Sequence, residues 1–140
     1  MAITARYLID TSATARMRTP RIGDELAEPI AAGLVATTAV LDAEALFSTR
    51  SAEEFARVRH ERLVTFEYLP TDDEDWQLAI DALMRLAQQG RHRSVGIADM
   101  LTAVTARTHR LTVLHYDADF ETASAVIDFE HRWVAEPGTL

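Results

Sequence analysis

The chain has 140 residues and a net charge of −8, with 48% hydrophobic and 26% charged residues; this suits one soluble domain with one core, and no apolar run nears the roughly 20 residues of a membrane span. It contains no cysteine, which excludes disulfides, thiolate nucleophiles and zinc–thiolate sites, and its start lacks the basic and apolar regions of a secretory signal, so the cytoplasm is the expected compartment. All 14 basic residues are arginine, and without lysine a Walker-type phosphate loop, a receiver domain and a phosphoaspartate hydrolase are all disfavoured.

Tyr7-Leu8-Ile9 reads as a short strand buried on both faces, ended by Asp10. Thr11 or Ser12 suits the cap of a short helix to about Met17, and Thr19-Pro20 opens another that Pro29 interrupts. Gly33 is a helix terminator, and residues 34–37 form a second strand. From Thr38 the spacing of Val40, Leu41, Ala45 and Leu46 predicts a mostly core helix that also carries Glu44, with Asp42 on another face. Ser51-x-x-Glu54 is a capping box for a helix to about Leu63, and residues 64–69 read as a third strand. Thr71-x-x-Glu74 reads as a second box, opening a helix to Gln89 that buries Trp76, Leu78, Leu83, Leu86 and Ala87. After a basic loop, residues 97–106 form a helix buried nearly all round; residues 111–115 form a fourth strand, a short helix follows, and Trp133-Val134 lies in a final edge strand. This alternation predicts an α/β fold, a three-layer α/β/α sandwich on a mainly parallel sheet of four or five strands.

Asp10 and Asp117 each end a buried strand. If those strands are adjacent and parallel, the two carboxylates meet at the sheet edge where open α/β folds bind ligands. Asp99 sits between Ala98 and Met100 early in a helix, and Glu44 lies among Ala43, Ala45 and Leu46; acids so placed are costly unless paired or metal-bound. Carboxylates gathered without lysine or histidine partners repel and hold raised pKa values. A divalent cation resolves that conflict, and all-oxygen ligation suits Mg²⁺ or Mn²⁺, ions that activate water and neutralise phosphate in phosphodiester hydrolysis.

Each acid also has an ordinary structural reading. Asp10 and Asp99 suit helix caps, Asp117 and Asp119 suit a turn, Glu44 suits a solvated helix face, and residues 72–75 suit a helix N-terminus in solvent. The five histidines show no metal-ligand spacing. Arg57, Arg59 and Arg62, interleaved with glutamates, read as surface charges balanced by their neighbours.

YLIDTSA at residues 7–13, LDAEALFS at 41–48, VGIADMLTAVTA at 95–106 and LTVLHYDADF at 111–120, with WVA at 133–135, resemble in order and spacing the PIN-domain ribonucleases, and more narrowly the VapC toxins of bacterial type II toxin–antitoxin pairs. The resemblance implies that Asp10, Glu44, Asp99 and Asp117 are metal-binding and catalytic positions, that Asp119 is a further acidic metal position, and that Ser12 orders the site. It also implies internal cleavage of RNA with Mg²⁺ or Mn²⁺, a homodimer, and silencing by a cognate VapB-type antitoxin. Arg16, which follows Asp10, and Arg91 and Arg93, which precede Asp99, are the candidate phosphate contacts. Two other readings are an aspartate-dependent phosphotransfer domain using Asp10 as acceptor, and a non-catalytic PIN-fold module for RNA or protein binding. The first lacks its lysine and has Ser12 where a second acid belongs.

Overall fold

The computed structural model describes residues 3–140. In chain order the elements are β1 (Tyr7–Ile9), α1 (Thr11–Thr14), α2 (Pro20–Ala31), β2 (Val35–Thr37), α3 (Ala39–Phe47), α4 (Ala52–Thr65), β3 (Glu67–Tyr68), α5 (Asp73–Ala87), α6 (Ile97–His109), β4 (Thr112–His115), α7 (Asp119–Ser124) and β5 (Glu130–Trp133). The five strands form one sheet in the order β3-β2-β1-β4-β5, and every pairing is parallel. The chain moves outward from β1 to β3 and then returns to lay β4 on the other side of β1. The direction of winding therefore reverses between β1 and β4, where a crevice opens at the carboxyl ends of the strands.

Neighbouring residues of the central strands go to opposite faces, and this makes the sandwich. Leu8, Ala36 and Val113 pack with Leu41, Leu86, Met100 and Phe120 on one face. Ile9, Val35 and Leu114 pack with Ala13, Ile22 and Leu26 on the other. Leu8 and Ile22 are fully buried, each contributing about 1.5–3 kcal/mol through apolar burial.

Local chemistry sets most element ends. Pro20 begins α2, and Gly33 follows it at φ 71°, a left-handed conformation that costs glycine little. Pro29 does not interrupt α2, which runs past it to Ala31 and forgoes only the one bond that the missing N–H would have donated. Ser51 caps α4 by accepting the Glu54 N–H at 3.0 Å, whereas the Glu54 carboxylate reaches Arg50 N rather than closing a box on Ser51.

Four further expectations from sequence are corrected. The helix α4 runs on to Thr65, with Phe66 N–H still bonded to Arg62 O, so the third strand shrinks to Glu67–Tyr68. The second capping box belongs to Asp72 and Asp75, whose side chains each accept the other's backbone N–H at 3.0 and 3.1 Å; Asp75 is consequently buried rather than solvated. The buried side of α5 is Ala79, Ala82 and Leu86, while Trp76 and Leu78 are 41% and 36% exposed. Small residues form that seam because α5 packs along α6, whose residues 100–106 are all buried. Only Leu41 of α3 is buried, so α3 is a rim helix rather than a core one.

Arg62 also departs from the sequence reading. Arg57 pairs with Glu61 on the surface at 3.5 Å, but Arg62 reaches across to Asp42 of α3 at 2.8 Å and to Thr37 Oγ1 at 3.1 Å. Thr37 in turn donates to Asp42 at 2.7 Å, so the α3–α4 pair is pinned to the end of β2.

Candidate active site

Asp10 leaves β1 directly into α1 and is 3% exposed. Its backbone N–H donates to Leu114 O at 2.9 Å, which continues the β1–β4 ladder past the strand. Its Oδ2 accepts the Ser12 N–H at 3.0 Å as the N-cap of α1. The cap reading of Asp10 is therefore right as far as it goes, but it accounts for one oxygen only. Oδ1 is buried without any hydrogen-bond partner, a costly state for a carboxylate oxygen.

Asp117 follows β4 by two residues, and Asp99 lies in the first turn of α6, which points its N-terminus at the same edge. One carboxylate oxygen from each of Asp10, Asp99 and Asp117 lies within 4.8 Å of the others. Glu44, on α3, lines the same cavity, together with Thr11, Ser12, Thr14 and Ser48. Its side chain is exposed at the cavity mouth, as the solvated-face reading of Glu44 had it and not the mostly core one, because α3 turns only Leu41 inward. Asp99 does not cap its helix, since Gly96 is the N-cap and no side chain bonds there. Asp119 begins α7, half-buried, and its N–H donates to Asp117 Oδ1 at 2.9 Å.

The electrostatics follow from that crowding. Burial, then the charges of Asp10, Asp117, Asp119 and Glu44, push the Asp99 carboxyl up to about 8. Asp10 is raised chiefly by burial, with its hydrogen bonds to Ser12 opposing. Glu44 is raised by burial and then by Asp10 and Asp117, and Asp119 by burial and then by Asp117. A lone buried carboxylate oxygen and three mutually repelling acids are what a hard cation relieves, and the cluster supplies oxygen donors alone. The residues present therefore fit Mg²⁺ or Mn²⁺.

The other expected site residues divide. Ser12 Oγ accepts the Tyr116 N–H at 2.9 Å, so it ties the segment after β1 to the segment after β4. Arg16 donates to Ser12 O at 2.7 Å and lies 4.4 Å over the Tyr116 ring. Arg91 and Arg93 are exposed in the loop before α6 and do not line the acidic cavity. Thr11, read only as a candidate helix cap, and Thr14 and Ser48 were not expected at the site, because scattered hydroxyls carry no pattern in sequence; their places on α1 and at the end of α3 bring them in, and the cap of α1 is Asp10.

A parallel sheet between two helical layers, with carboxylates gathered at its switch point, is an α/β/α fold of the kind that binds ligands at the carboxyl ends of its strands, and known proteins share it. Residues 7–126 match the PIN domain. The chain is 36% identical to ribonuclease VapC21 of Mycobacterium tuberculosis over 98% of its own length and 99% of the relative's. It is 34% identical to ribonuclease VapC51 of the same organism, over 96% and 97%. Its fold superposes on a chain of the DNA-bound VapBC crystal structure from Salmonella typhimurium with a TM-score of 0.73, at 15% identity and covering 94% and 99%. The chain belongs to the PIN-domain family. No helix of the described residues is long and apolar enough to cross a membrane.

Proposed function

We propose that the protein is a metal-dependent endoribonuclease and the toxin of a type II toxin–antitoxin pair. Its support is membership of the PIN family, relatives named ribonuclease VapC over nearly the full chain, and the orphaned Asp10 Oδ1 inside a three-acid cluster. Asp10, Asp99 and Asp117 would hold Mg²⁺ or Mn²⁺, with Glu44 and Asp119 beside them. Once bound, the ion would acidify a water and neutralise the phosphate charge. Glu44, exposed at the cavity mouth, would take a proton from an incoming water. Ser12 orders the two loops, and Arg16, Arg91 and Arg93 contact the RNA backbone. By analogy with the VapBC assemblies, a VapB-type antitoxin and a second copy of the chain are its protein partners.

The test is cleavage of RNA by the purified protein with and without Mg²⁺, with the new ends sequenced. Asp99→Asn abolishes cleavage while leaving the fold unchanged by circular dichroism. Full activity in that variant, or cleavage that persists in a chelator, overturns the reading. Toxicity on expression, relieved by a co-expressed partner, separates a toxin from a non-catalytic binding module.

A further inference from the structure

We propose that His115 is a positioning residue for Asp117, gripping its backbone through one ring nitrogen while His131 holds the ring in the tautomer that permits the grip. This rests on the reading of the acidic cluster as a cation site. His115 ends β4, is fully buried, and does not line the acidic cavity. Its Nδ1 lies 3.1 Å from the Asp117 backbone nitrogen. A backbone N–H only donates, so Nδ1 is the unprotonated nitrogen and the ring proton sits on Nε2. Nε2 lies 2.9 Å from Nδ1 of His131, which accepts that proton's hydrogen bond. The two contacts thus agree on a single direction: Asp117 donates to His115, and His115 donates to His131.

The sheet register makes the arrangement rigid. Parallel pairing sets His115 opposite Trp133, and the period of two puts His131 on the same face. The His115 ring lies 5.1 Å from His131, 5.0 Å from Trp133 and 4.7 Å from Phe120 between centroids. The ring is fully buried between the strand and α7, and turning it over would put carbon atoms where both nitrogens now bond. Asp117 is then held at two points. Its N–H is fixed by His115, and its Oδ1 accepts from Asp119 N, which leaves Oδ2 as the oxygen free to face the cluster.

Two substitutions divide the ring's roles. His115→Asn keeps an acceptor on Cγ, where Nδ1 was, and loses the bond to His131. His115→Gln keeps a donor near the place of Nε2 and loses the acceptor for Asp117. Mn²⁺ titrated into the full chain and followed by EPR gives the affinity, and thermal melting in chelator gives the stability. Both variants lose the ring's packing and melt lower, but only His115→Gln weakens Mn²⁺ binding, by about tenfold, the low end of what disturbing a metal ligand's support costs. Equal affinity in the two variants overturns the role of His115. Wild-type protein that binds no Mn²⁺ overturns the cation site itself, which is a different result. Should both variants unfold, the ¹⁵N spectrum of the wild-type imidazoles decides: the Nε2–H tautomer at His115 supports the proposal, and Nδ1–H overturns it.

Discussion

Ser12 Oγ accepts the backbone N–H of Tyr116 at 2.9 Å, a bond between residues 104 positions apart. It forms at the switch between β1 and β4, and it joins the segment carrying Asp10 to the one carrying Asp117. Ser12→Ala leaves a part-buried donor without a partner and costs about 1 kcal/mol. Urea denaturation measures that loss, and Mn²⁺ affinity should fall with it, since the two carboxylates are no longer held in register. Unchanged stability and affinity together would show that the bond does not order the site.

In the metal-free protein, stability depends on pH through Asp99. Its folded pKa is raised to about 8 against an ordinary 3.8. The folded state therefore keeps a proton that the unfolded chain releases, and stability falls as pH rises from about 4 through about 8. Asp99→Asn removes this dependence, so the variant's advantage over wild type, measured by urea unfolding in chelator, grows with pH and levels off above about pH 8. Parallel pH profiles for the two proteins would contradict the raised pKa. Saturating Mg²⁺ reverses the trend, because a bound cation favours the ionised carboxylate.

The Asp42–Arg62 pair, with side chains 23% and 11% exposed, fixes α3 and α4 to the sheet. Arg62→Met leaves Asp42 and Thr37 short of a charged partner and destabilises by about 2 kcal/mol. Replacing both members, as Asp42→Leu with Arg62→Met, recovers most of that loss, because a paired buried charge contributes little beyond its own desolvation. A double-mutant cycle by chemical denaturation measures the coupling, and a coupling near zero would make the pair ornamental to stability.

If Arg91 and Arg93 contact the RNA backbone, each releases counterions on binding. In the cleavage-defective Asp99→Asn background, replacing either with alanine lowers the slope of log affinity against log salt by about 0.7 for single-stranded RNA. Arg57, which pairs with Glu61 on the exposed surface of α4 and does not line the acidic cavity, serves as the control and leaves the slope unchanged. Fluorescence anisotropy across a salt series reads both, and identical slopes throughout would remove the two arginines from the RNA path.

The alternation of elements, the buried central strands and the acids at their ends were legible along the chain, because strand and helix periodicities and the cost of burying a charge are local properties. Asp10 and Asp117 could be paired on paper, since each closes an apolar run. What the linear order does not carry is which residues long side chains reach. Arg62 was read with its neighbouring glutamates and instead crosses to Asp42; Glu44, on a helix read as mostly core with a solvated face as the alternative, stands at the cavity mouth. The β1–β4 adjacency itself, the orphaned Asp10 Oδ1 and the His115–His131 bond come from strand order and register. Those arise when a whole sheet packs between two helical layers, a balance of contacts far apart in the chain that no short stretch of residues contains.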